Sequence, residues 1–140
     1  MDEIKPRDMP HNVNDCVITC MDHRFQQLIY QKLKNEHHLE RYDRLAWAGS
    51  SKAVADGTLI PQIQASHRLH NIKKVWIWDH TDCGGFGGLA AFGNDEPKEI
   101  QAHFESQKKA AAAIHQVLPQ LAVNTFVINL EGEAIKPDNA

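Results

Sequence analysis

Cys20, His80 and Cys83 are the side chains of this 140-residue chain whose types and spacing are best suited to chemistry, and that chemistry is metal binding. Zn²⁺ favours thiolate sulfur and imidazole nitrogen in a tetrahedral arrangement. A catalytic site takes three protein ligands and leaves the fourth position to water or substrate. The three residues lie in two short stretches, Cys20-Met21-Asp22-His23-Arg24 and His80-Thr81-Asp82-Cys83-Gly84, each preceded by a run that reads as a buried strand. Two thiols and an imidazole can therefore meet at one end of a sheet. Asp22 is suited either to bind the metal as a fourth ligand in a closed state or to accept a hydrogen bond from a water on it.

The elements that must bring these donors together follow from hydrophobic periodicity. A strand is expected over 15–21, then a helix over about 24–39 with Phe25, Leu28, Ile29 and Leu33 at helical spacing. A second strand fits 44–48. The turn Gly49-Ser50-Ser51 offers serines to cap a helix running to about residue 69, with Pro61 marking a kink or a break. A third strand over 75–79 places Val75, Ile77 and Asp79 on one face and Trp76 and Trp78 on the other, the pattern of a strand covered on both sides. A glycine-rich loop over 84–93, a helix over 99–118, a strand over 125–130 and a short antiparallel edge at 134–136 complete the chain. Alternating strands and helices predict an α/β fold, a parallel sheet with right-handed crossovers and helices on both faces. If Cys20 and His80 share one ion, the first and third strands are neighbours and the second lies outside the first. That gives the order 2-1-3-4, with the ligands at the carboxyl ends of strands where the winding reverses.

The paired segments resemble the signatures of the β-class carbonic anhydrases, Cys-x-Asp-x-Arg followed by His-x-x-Cys-Gly. The resemblance runs from about Asp15 to the C-terminus and is closest to short bacterial members that pair Cys-Met-Asp-x-Arg with His-Thr-Asp-Cys-Gly. It implies Cys20, His80 and Cys83 as Zn²⁺ ligands, Asp22 and Arg24 as a catalytic dyad, and reversible hydration of carbon dioxide to bicarbonate. It also implies a switch in which Asp22 leaves Arg24 for the metal, and a homodimer or higher homo-oligomer. Two other readings stand beside it: a non-catalytic zinc protein, and a related hydrolase of carbonyl sulfide or carbon disulfide. Where typical members carry Arg-Asn-Ala-Gly after the second strand, this chain has Ala46-Trp47-Ala48-Gly49, which loses a polar pair near the subunit contact and the site.

Composition sets the remaining bounds. With 42% hydrophobic residues, residues 1–140 are expected to form one zinc domain with an arm at 1–13 and a tail at 137–140. A net charge of −3 without a basic cluster argues against nucleic acid as a partner. The first ten residues are charged and hold two prolines, no segment is apolar enough to span a bilayer, and three cysteines fit no disulfide framework. A cytoplasmic, membrane-free protein acting on a small molecule is expected. Cys16 lies too far along its strand to share a metal with Cys20. His67, His70, His103 and His115 are expected on helices as exposed or core-satisfied residues, and His37-His38 as solvated helix surface. Trp76 and Trp78 are expected in the core or a dimer interface. Gly85-Phe86-Gly87-Gly88-Leu89-Ala90 matches a dinucleotide fingerprint but lacks the acidic residue about twenty positions on. Gly84 and Gly85 are instead expected to let backbone pass close to the metal.

Overall fold

The computed structural model describes residues 3–137, so the expected arm and tail lie partly outside the described residues, at 1–2 and 138–140. Five strands form one sheet in the order β2-β1-β3-β4-β5: β1 (Asp15–Thr19), β2 (Asp43–Ala46), β3 (Lys74–His80), β4 (Ala122–Ile128) and β5 (Ala134–Ile135). The first four are parallel, and β5 pairs with β4 antiparallel. This is the predicted order with its antiparallel edge. The register sets Cys16 beside Val75 and Thr19 beside Trp78, so β1 and β3 end side by side.

Alternation along the strands sorts the core into two layers. Cys16, Ile18, Val75 and Ile77 pack on one face against Ala53, Val54, Ile63, Ala110 and Ile114. These come from α2 (Ser51–Ala55), α3 (Ile60–His70) and α4 (Glu96–Val117). On the other face Val17, Trp76, Trp78, Phe126 and Ile128 meet Phe25, Ile29 and Leu33, the last two on α1 (Gln26–His37). Each fully buried aliphatic side chain contributes roughly 1.5–3 kcal/mol by leaving water. Trp78 is fully buried and stacks on Phe126 at 4.3 Å, and Trp76 is buried beside it, so these two tryptophans belong to the core.

Several boundaries differ from expectation. The helix expected to reach residue 69 is broken into α2 and α3 at Gly57, whose φ of +93° an L side chain rarely adopts, and Pro61 sits in the first turn of α3. The serines do not cap α2: Ser50 makes no side-chain cap bond, and Ser51 turns its hydroxyl to Asp79. α4 begins three residues early, capped by the Asp95 carboxylate on the Lys98 amide. His37 is half-buried and lies edge-on to Trp76 at 5.0 Å, so it is not solvated surface. Among the described residues no helix is long and apolar enough to cross a membrane.

Candidate metal centre

Cys20 follows directly on β1 and His80 closes β3, so the neighbouring carboxyl ends carry both. The Gln26 side-chain amide donates to the carbonyls of Cys20 at 2.8 Å and Asp22 at 2.9 Å, tying this loop to the first turn of α1. Beyond His80 the chain turns through Asp82 at φ +54° and delivers Cys83 back to the same point. The Cys20 and Cys83 sulfurs lie 3.9 Å apart across 63 residues of sequence. Together with a nitrogen of His80 they fall within 4.8 Å of one another, all three residues buried. Tetrahedral zinc with sulfurs at about 2.3 Å separates two thiolates by about 3.8 Å.

His80 supplies an independent test of fit. Its Nδ1 donates to the Thr81 carbonyl at 2.7 Å, and its ring stacks on Phe25 at 4.2 Å. Orientation and tautomer are thereby set, as backbone carbonyls commonly do for metal-ligating histidines. Nε2 is buried with no hydrogen-bond partner. An orphaned acceptor beside two thiols costs free energy unless something occupies the space between them, and a thiophilic cation suits two sulfurs and one imidazole.

Electrostatics favour a thiolate here. The hydrogen bond with Cys83 holds the Cys20 thiol far below its ordinary range, aided against burial by His80 and the amides of Gly49 and Asp22. Cys83 is pushed up by that same bond and then by burial. For His80 burial opposes protonation, but the Cys20 sulfur and the Thr81 carbonyl raise its pKa overall. Cys16 stays apart from this cluster, in the core, where burial pushes its thiol up to about 12.

Asp22 and Arg24 stand beside the donors. Arg24 Nη2 reaches Asp22 Oδ2 at 2.7 Å, Nε reaches Oδ1 at 3.1 Å, and the Arg24 amide donates to Oδ1 at 2.9 Å. The Arg24 hydrogen bond lowers the Asp22 pKa to about 2. Asp22 Oδ2 also lies 3.9 Å from His80 Nε2, so the carboxylate borders the donor cluster while paired with arginine. His23 stands on the solvent side, its side chain 95% exposed and its Nδ1 3.9 Å from Asp22 Oδ1.

A network around the donors escaped the sequence reading. Asp82 accepts from Arg24 Nη1 at 3.2 Å. Glu99 accepts the amides of Asp82 at 2.7 Å and Cys83 at 3.1 Å, and its Oε2 meets His103 Nε2 at 2.9 Å. His103 Nδ1 meets Asp79 Oδ2 at 2.8 Å, and Asp79 takes both the amide and the hydroxyl of Ser51. His103 is core-satisfied, as expected, but its partners were not foreseen. The available signals were a carboxylate ending an apolar strand at Asp79 and the Glu99-x-x-x-His103 spacing on one helix face. Gly85 passes close to the backbone of Gly49, where a Cβ would lie 2.6 Å from Gly49 Cα, and its amide faces the Cys83 sulfur. At Gly84 nothing lies within 4 Å.

The family model described as "Putative carbonic anhydrase" matches residues 11–136. The chain belongs to that family. An uncharacterized protein of Rickettsia bellii is 30% identical over 125 residues, covering 83% of this chain and 76% of its own length. One of Rickettsia conorii is also 30% identical over 125 residues, covering 83% of this chain and 67% of its own. Carbonic anhydrase from Glaciozyma antarctica shares the fold at TM-score 0.57 and 20% identity, over 91% of this chain and 83% of its own. The β-carbonic anhydrase isoform I of Trichomonas vaginalis does so at TM-score 0.58 and 10% identity, over 96% and 86%. Within this carbonic anhydrase-family chain, Trp47 stands just past β2, its amide bonded to the Thr19 carbonyl at 3.0 Å and its residue 51% exposed. An apolar group thus borders the end of the sheet that carries the donors.

Proposed function

We propose that this chain catalyses the zinc-dependent reversible hydration of carbon dioxide to bicarbonate, with Cys20, His80 and Cys83 holding the metal. The observation that carries this reading is the convergence of two buried sulfurs 3.9 Å apart on an orphaned imidazole nitrogen, with an arginine-held carboxylate at their edge. Zinc, when bound, supplies acidification of a water from pKa 15.7 to about 7 and so a nucleophile near neutrality. Two thiolates neutralise the ion's charge and weaken that effect relative to neutral ligands, which gives the protein's own groups more to do. Asp22, ionised because Arg24 holds it, is placed to accept a hydrogen bond and so orient the attacking oxygen. Its four hydrogen bonds from Arg24 hold the carboxylate on the guanidinium, and in this proposal the fourth coordination position goes to water or substrate. Asp22 is therefore the catalytic residue of the proposal and Arg24 its holder.

A homodimer is part of the proposal, supported by Tyr30 at 52% and Trp47 at 51% exposure near the β2 edge of the sheet. The deciding experiment is stopped-flow CO₂ hydration on metal-quantified protein from mildly acidic to alkaline pH. Turnover that tracks zinc content is expected. Full zinc loading with no hydration at any pH would overturn the catalytic reading in favour of a non-catalytic zinc protein. Inert CO₂ with turnover of carbonyl sulfide would assign the substrate differently.

A further inference from the structure

Thr81 is the last residue beyond β3 that the sheet supports, its amide bonded to the Ile128 carbonyl at 2.9 Å. The next two amides belong to Asp82, half-buried, and Cys83, buried, in a turn where strand pairing has ended. Buried amides require partners, and both find theirs on one side chain, Glu99 of α4. Glu99 is wholly buried. Its second oxygen is shared with His103, also wholly buried, whose other nitrogen faces Asp79. An ionised carboxylate oxygen can only accept, so with both acids ionised His103 must donate from both nitrogens as an imidazolium. Burial opposes that charge, but the hydrogen bond to Asp79 and the bond to Glu99 raise the His103 pKa. Asp79 in turn grips Ser51 at the start of α2, two residues after Gly49, whose amide faces the Cys20 sulfur. The chain Glu99–His103–Asp79–Ser51 thus joins the turn that carries Cys83 to the turn that flanks Cys20.

We propose that Glu99, locked by His103, is a positioning residue that preorganises the Cys83 turn, so that this donor stands in place before any ion arrives. The inference rests on the metal reading above and deepens it. Cys83 is the ligand most in need of such a device, because Cys20 and His80 adjoin paired strands and Cys83 does not. Preorganisation removes loop ordering from the cost of metal binding. Partners that orient metal ligands in this way typically govern affinity by 10–100-fold.

Two measurements test it, neither involving carbon dioxide. In reduced, metal-free protein, amide hydrogen exchange should show Asp82 and Cys83 protected, slowed at least about 100-fold relative to an unstructured chain. Free exchange of both amides without metal would overturn the proposal. Next, Glu99→Gln replaces one acceptor oxygen by a donor nitrogen at nearly constant shape. Zinc competition against a chromophoric chelator should show affinity weaker by about 10–100-fold, with an altered absorption spectrum of the Co²⁺-loaded protein. His103→Gln should shift both readouts the same way. Ile114→Val, a core substitution on the same helix, lowers the melting temperature but should leave zinc affinity and the Co²⁺ spectrum at the parent's values. Parent-level affinity in folded Glu99→Gln sinks the proposal, and if that variant does not fold the amide exchange of the unaltered protein decides. Absence of zinc uptake by the parent would refute the metal reading, whereas amide protection still reports on the turn itself.

Discussion

Arg24 holds Asp82 as well as Asp22: its Nη1 lies 3.2 Å from Asp82 Oδ2, and its Nη2 donates to the Asp82 carbonyl at 3.1 Å. One guanidinium therefore spans the two motifs, fastening the stretch after β1 to the turn after β3. Asp82 is itself braced by the Leu89 amide on Oδ1 at 2.9 Å. The pair is partly solvated, with side-chain exposures of 43% and 39%. Exposed pairs contribute about 0.2–1 kcal/mol. Asp82→Asn should accordingly retain full zinc and lose only about two- to fivefold in kcat/KM for CO₂, read by stopped flow on metal-quantified protein. A loss of several hundredfold would mean that Asp82 does more than steady Arg24.

Asp22→Asn should leave zinc stoichiometric and lower hydration by on the order of 100-fold or more, the usual scale for a positioned proton-handling group. The amide can still meet Arg24 but offers one acceptor in place of two. A variant turning over at the parent's rate would remove Asp22 from the mechanism. The sign of its pH dependence follows from its pKa, lowered to about 2 from an ordinary 3.8 by the Arg24 hydrogen bond. Stability from this pair is complete above the ordinary value and is lost as pH falls through the lowered one. Neutral solutions therefore always contain the ionised form.

Cys83→Ser and His80→Ala should each abolish stoichiometric zinc, measured by elemental analysis after dialysis. The serine variant replaces a soft thiolate with a hard hydroxyl of much higher pKa. The alanine variant removes the nitrogen and also the stack on Phe25 at 4.2 Å. Full occupancy in both would refute the ligand assignment.

The strand order and the meeting of Cys20, His80 and Cys83 were legible because each rests on local pattern plus one constraint. Apolar runs locate β1 and β3, and the demand that Cys20 and His80 share an ion makes those strands neighbours, as the register of Cys16 beside Val75 bears out. What escaped depends on partners distant in sequence. Ala122 and Asn124 read as loop, yet they extend β4 because Lys74 and Trp76 offer a ladder to pair with. The start of α4 was placed at Glu99, although Asp95 before Glu96-Pro97 is an N-cap followed by a proline in the first turn. With the helix started there, no local pattern pointed to the two amides that Glu99 meets, which lie 16 and 17 positions away. Ser51 looked like a cap residue because its competing acceptor, Asp79, lies 28 positions away.

The buried carboxylate–imidazole chain gives the final prediction. His103 is packed by Phe86 at 4.0 Å and faces Asp79 from β3 and Glu99 from its own helix, and its pKa is raised. A histidine whose folded pKa exceeds the ordinary value of 6.5 adds stability that is complete below that value and is lost as pH climbs through the raised one. Chemical denaturation of the metal-free, reduced protein should therefore show unfolding free energy declining from near neutral pH toward alkaline pH. In His103→Gln, where no proton is taken up at this position, that decline should flatten while overall stability is lower. An equal slope in both proteins would mean that His103 does not carry the charge that its two carboxylate neighbours require.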